Sequence, residues 1–153
     1  MIIIWGLAIW NVAVTIYCYL ILRKRKQLFD DRFATTLTNT ATFIATIVVS
    51  LHVSVLLTVK LSMIFILNMI IGVSIGSLFG SLVKYHSVLI GFYNGLIGSS
   101  MGVMIGEVLK NPQICSIPIS NQQQVVMNMY QLCGFATLLL IVVFGLVLYS
   151  MRV

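Results

Sequence analysis

The sequence predicts an all-α, polytopic integral membrane protein of about five transmembrane helices in a single domain. Two observations predict it. Hydrophobic residues make up 60% of the 153 residues and charged residues only 8%, whereas soluble domains are about half apolar and about a quarter charged. The charges that exist lie between long apolar runs. Too little polar surface remains to cover a core in water, and lipid as the outer solvent removes that demand.

The first segment, residues 1–22, is long enough to cross about 30 Å of hydrocarbon at about 1.5 Å per residue. A secretory signal would begin with positive charge and end in small residues. Here the charge follows the run, so the segment reads as a retained span with its N-terminus outside. Arg23, Lys24, Arg25 and Lys26 come next. In a membrane protein such a cluster reports orientation and touches anionic head groups, so the net charge of +6 is no nucleic-acid footprint.

The second segment, residues 34–59, is rich in threonine and alanine in its first half. Lys60 separates it from the third, 61–83, which makes a tight helical hairpin. Lys84, Tyr85 and His86 mark the next turn, and the fourth segment covers 88–109. Residues 110–124 contain both prolines and end in polar residues, the mark of an exposed loop. The fifth segment, 125–150, closes the chain. With the first loop in the cytoplasm, Arg23, Lys24, Arg25, Lys26, Arg32, Lys84 and Arg152 fall inside, and only Lys60 and Lys110 fall outside. That bias predicts a cytoplasmic C-terminus and an external 110–124 loop. Four spans would follow instead if the second segment were too polar to insert.

Glycine spacing is the strongest local pattern. Gly72, Gly76 and Gly80 are four apart, while Gly91, Gly95, Gly98, Gly102 and Gly106 keep to one side of a helix at about 100° per residue. Faces without side chains let helices approach closely, so that dispersion and weak Cα hydrogen bonds replace the hydrophobic drive that lipid removes. Segments three and four are therefore expected to pack glycine face to glycine face. Residues 71–83 also align with 97–109, either as an inverted repeat of the kind some transporters use or through a shared packing demand. In segment two, Asn39, Thr42, Thr46, Ser50 and Ser54 form a polar line suited to hydrogen-bonding a neighbouring helix or lining a polar path. Segments two to four should form the compact centre, with one and five peripheral.

Few residues invite chemistry. Glu107 is the one acidic residue within a predicted span, and such residues are functional by default. Its separation of three from Lys110 offers a simple ion pair, and the functional alternative is a protonatable or cation-binding group sharing a face with Ser100 and Met104. His52 and Asn68 each lie eight residues from Lys60, about 12 Å along their helices, and are placed to hydrogen-bond across the hairpin, a structural role for His52 to which proton relay or metal ligation is the alternative. Met101, Met104, Met127 and Met129 suggest a soft-metal site, but methionine is also ordinary filler. Gly98 to Gly102 fits G-x-S-x-G around Ser100, at a depth comparable to that of His52, which leaves an intramembrane serine protease as an alternative, although that motif needs a strand and a sharp turn. Cys18 and Cys133 fall in apolar segments, Cys115 stands alone in the loop, and a bridge among them is not expected.

These residues predict a non-enzymatic protein of a plasma membrane, bacterial in type, with no cofactor or metal. Its partners would be the lipid bilayer and either further copies of itself or another membrane protein. Two functional classes stay open: a scaffold, accessory or assembly subunit of a membrane complex, and a small oligomeric channel or transporter for an ion or small solute.

Overall fold

The computed structural model describes residues 2–25, 31–57, 60–83, 85–115 and 122–151. Among the described residues are five helices, α1 (Ile2–Arg25), α2 (Asp31–Leu56), α3 (Leu61–Gly80), α4 (Tyr85–Lys110) and α5 (Gln122–Ser150), and a 3-10 turn at Pro112–Cys115. All five helices are long and apolar enough to cross a membrane.

The helix ends differ from the hydropathy boundaries, for a physical reason. Hydropathy marks where lipid contact would end, while backbone hydrogen bonding continues for as long as the next residue can join the ladder. Thus α1 runs on to Arg25, α2 begins at Asp31, α4 extends from Tyr85 to Lys110 and α5 begins at Gln122. The opposite correction applies to α3, which stops at Gly80 rather than at residue 83. Ser81 N–H still bonds to Ser77 O, but Leu82 and Val83 make only short turns to Phe79 and Gly80. Arg23 and Lys24 are exposed at the end of α1. Lys26, Lys84 and Arg152, and the side chains of Arg25 and Arg32, lie outside the described residues, as does most of the second half of the 110–124 loop.

The helices α2, α3 and α4 pack most extensively against one another, and α1 and α5 lie against α2 and each other. A Cβ added at Gly98, Gly102 or Gly106 would meet Thr46, Ser50 or Ser54 in turn. The partner number rises with the glycine number, so α2 and α4 run parallel. Against α3 the order reverses: Gly72 meets Gly95, Gly76 meets Gly91 and Gly80 meets Ser87. Consequently α3 and α4 are antiparallel, as a short connection requires.

Two clusters of buried apolar side chains join the outer pair of helices to this trio. One, toward the Arg23 end, contains Cys18, Leu22, Ala41, Phe79, Leu140 and Phe144, with Tyr19 edge-on to Phe79 at 5.5 Å between ring centroids. The other, toward the opposite end, contains Ile4, Leu51, Val55, Met129 and Cys133. Cys18 and Cys133 thus belong to different clusters and are free thiols. Outside, Met63, Ile66 and Ile70 of α3 and Phe135, Leu138 and Leu146 of α5 are exposed. In water each such side chain would forgo about 1.5–3 kcal/mol of burial; in lipid that deficit would not arise.

Candidate functional site

Backbone approach between helices is set by what a glycine lacks. A Cβ at Gly72 would lie 2.5 Å from Gly95 O, and one at Gly80 would lie 2.6 Å from Ser87 O. At Gly76 it would strike Gly91 O, and at Gly91 and Gly95 it would strike Gly76 O and Gly72 O. All five positions sit against backbone, which has no side-chain torsion by which to yield.

The remaining α4 glycines depart from the expectation of a single glycine-to-glycine seam. Gly98, Gly102 and Gly106 face α2. A Cβ at Gly102 would lie 2.6 Å from Ile47 O, one at Gly106 would lie 2.6 Å from Ser54 Oγ, and one at Gly98 would strike Thr46 Oγ1. Steps of four residues drift by about 40° around a helix. A line of glycines therefore winds from one neighbour to the next, here from α3 to α2.

The polar line on α2 is thus covered by protein from Thr46 to Ser54. Two of its hydroxyls are committed to their own helix: Thr42 Oγ1 donates to Thr38 O at 2.7 Å and Thr46 Oγ1 to Thr42 O at 2.9 Å. Toward the start of α2, Asn39 and Thr42 line a cleft with Thr35, Thr38, Gly80, Ser87, Ile90 and Gly91, which is too tight to admit a water molecule.

Glu107 turns toward α2 and closes a small ionic cluster. Ser54 Oγ donates to its Oε1 at 2.9 Å, and Lys110 Nζ lies 2.5 Å from the same oxygen, both side chains being largely buried. Lys110 Nζ also donates to Leu57 O at 3.0 Å. A lysine on a terminal carbonyl satisfies an orphan acceptor and complements the negative end of the helix dipole. The face expected to unite Glu107, Ser100 and Met104 is not assembled. Ser100 Oγ donates to Leu96 O at 2.7 Å and lies 3.8 Å from Met69 Sδ, while Met104 points outward, 66% exposed. The four methionines also diverge: Met101 and Met127 are exposed and Met129 is buried among Ile4, Leu51 and Cys133. Among the described residues, His, Cys, Asp and Glu gather nowhere in a group of three or more able to hold a metal.

His52 and Asn68 do not meet. Asn68 Nδ2 donates to Ile64 O of its own helix at 2.9 Å, and Asn68 Oδ1 is buried without a partner. His52 faces the other way, because it stands two residues from both Ser50 and Ser54, about 200° around α2 from the line that packs on α4. Its partner is Asn11 of α1, a residue the reading of the sequence passed over. Asn11 Nδ2 lies 3.3 Å from His52 Nε2 and donates to Thr137 Oγ1 of α5 at 3.0 Å. Thr137 Oγ1 in turn donates to Cys133 O at 2.9 Å, and Thr15 Oγ1 donates to Asn11 O at 2.8 Å. His52 and Asn11 are almost fully buried and Thr137 nearly so. The available signal was a lone asparagine in an otherwise oily first span, with Thr15 one turn on.

The tautomer of His52 follows from its second contact. Nδ1 lies 2.8 Å from Val48 O, and a carbonyl oxygen can only accept, so Nδ1 carries a proton. In the neutral ring Nε2 is then a lone pair that accepts from Asn11. With both ring nitrogens engaged toward α1 and its own helix, His52 forms no dyad with Ser100, and the G-x-S-x-G sequence is a stretch of ordinary helix.

Neither a protein-family model nor a curated protein nor a solved structure matches this chain.

Proposed function

We propose that the protein is a non-enzymatic, multi-pass membrane protein that serves as a scaffold, accessory or assembly subunit of a membrane complex. One observation carries this reading: Glu107, His52 and the α2 threonines are already engaged by partners within the chain. Glu107 is bound by Ser54 and Lys110, His52 by Asn11 and Val48, and the α2 threonines by their own backbone. In this reading the external N-terminus and the cytoplasmic Arg23 to Lys26 cluster set its orientation in a plasma membrane of bacterial type. The glycine faces of α3 and α4 are its packing code.

The alternative, a small oligomeric channel or transporter, draws support from buried polar atoms without partners: Asn39 Oδ1, Ser50 Oγ, Asn68 Oδ1 and Asn94 Nδ2. A second copy or a hydrated path would satisfy them. Reconstitution of the purified chain alone into liposomes separates the two readings. The scaffold reading expects solute and ion leakage no greater than in empty vesicles, together with co-purification of a fixed membrane partner. Saturable flux that scales with protein would overturn it.

A further inference from the structure

We propose that the Asn11–His52–Thr137 node is a buried proton-binding site, in which inversion of the Asn11 carboxamide accommodates the added proton. The argument begins with the one unused atom in the node. Asn11 Oδ1 is buried and has no hydrogen-bond partner, although its own Nδ2 serves both His52 and Thr137. A buried acceptor left idle is destabilising. It sits on a group that exchanges donor for acceptor by a half-turn about a single bond, with almost no change in shape.

Protonation supplies the use for it. A proton added at Nε2 would set an N–H against the Asn11 N–H₂ across 3.3 Å, two donors facing one another. Inverting the carboxamide places Oδ1 there, to accept a charge-assisted bond from the imidazolium. Thr137 Oγ1 now faces an acceptor as well. By releasing Cys133 O, its present acceptor at 2.9 Å, it can donate to Oδ1. The polarity of the hydrogen-bond chain reverses, the amide nitrogen takes the unpartnered position that Oδ1 held, and Nδ1 keeps its bond to Val48 O throughout. No covalent bond changes apart from the new N–H.

Among the described residues, the partner bonded to His52 from a neighbouring helix carries no charge. Asn11 faces His52 from α1. Thr137 of α5 is linked to it through Asn11, with Cys133 one turn away along α5. The outer pair on α4, Glu107 and Lys110, is spent on each other and on Ser54 and Leu57.

The test is nitrogen NMR of the full chain in lipid bilayers, with labelled histidine and asparagine, followed from neutral to acidic pH. At neutral pH the proposal expects His52 protonated at Nδ1 alone. On acidification Nε2 gains its proton as the Asn11 side-chain amide signal shifts in step, with the backbone spectrum of α1, α2 and α5 preserved. In Asn11→Leu, which removes the reserve acceptor, His52 should need at least about tenfold more acid to protonate, since a hydrogen bond to a charged group is worth about 1.5–3 kcal/mol. Asn11→Asp should need less acid than the natural chain. A neutral ring protonated at Nε2, an Asn11 signal indifferent to the His52 titration, or an unchanged midpoint in Asn11→Leu would each overturn the proposal. So would a His52 that stays neutral until the helices unfold. If Asn11→Leu fails to fold, the natural chain still decides through the tautomer and the Asn11 signal.

Discussion

The trio α2, α3 and α4 and the pair α1 and α5 are joined by different means. Inside the trio, backbone lies on backbone: the oxygens of Gly72, Gly76, Gly91 and Gly95 occupy the space a neighbouring Cβ would need. The pair is held by side chains, through two apolar clusters and the Asn11 node between them. Gly6, Gly134 and Gly145 of α1 and α5 have nothing within 4 Å of an added Cβ. The same residue type thus carries the close approach in one region and nothing in the other. Close-packed backbone can neither rotate nor shorten, whereas a side-chain contact can repack; the trio should be brittle and the pair forgiving.

The largest effect is expected at the centre of the trio. Gly76→Leu must displace the α4 backbone at Gly91, so folded protein should fall severely, beyond the about 1–3 kcal/mol typical of overpacking. Gly134→Leu, with open space around it, should accumulate and unfold in detergent like the natural chain. Equal loss in both would erase the contrast between the two regions.

Asn11→Leu should have an intermediate effect. Interhelical hydrogen bonds in membranes are worth about 0.6 kcal/mol on average and about 1.7 at most. Loss of two bonds, with the Asn11 Oδ1 deficit also relieved, should cost about 1 kcal/mol. Cysteine cross-linking between α1 and α5 should become less selective, while the trio keeps its protease resistance. Loosening of α3 from α4 in this variant would show the regions to be more tightly coupled than described.

A smaller change follows at the ionic cluster. Glu107→Gln keeps an acceptor for Ser54 but loses the charge facing Lys110, and an ion pair at this depth of burial contributes about 1 kcal/mol or a little more. Thermal unfolding should shift by a few degrees at most. A collapse in yield would mean that Glu107 bears a larger share of the fold than the trio's backbone contacts.

At the bottom of the scale stands Ser74, exposed and bonded only to Ile70 O of its own helix. Ser74→Ala should change stability by less than about 0.5 kcal/mol in the same unfolding assay.

The five helices were legible because lipid imposes length and apolarity on every span, a demand that composition reports directly. What composition could not give was azimuth. Glycine spacing marks faces without side chains but does not name the neighbour, and Gly98, Gly102 and Gly106 went to the Thr46, Ser50 and Ser54 line rather than to α3. The His52 partnership failed in the same way. Depth along the axis was read from residue counts and paired it with Asn68, whereas angle around α2 decides the partner and turns it to Asn11. Asn11 itself was hidden by its company, since a single carboxamide barely alters the hydropathy of a 24-residue helix. Helix ends and apolar-run ends part company wherever backbone bonding outlasts the apolar run, as at Gln122.

Glycine matters here where backbone meets backbone or a packed hydroxyl. A glycine-to-alanine scan over all 11 glycines, read by thermal unfolding in one detergent, tests it by sign. The eight substitutions in α3 and α4 should destabilise, and those at Gly6, Gly134 and Gly145 should be neutral or stabilising, because alanine exceeds glycine in helix propensity by about 1 kcal/mol. Destabilisation at Gly134 or Gly145 as large as at Gly76, or tolerance at Gly76 and Gly91, would contradict it.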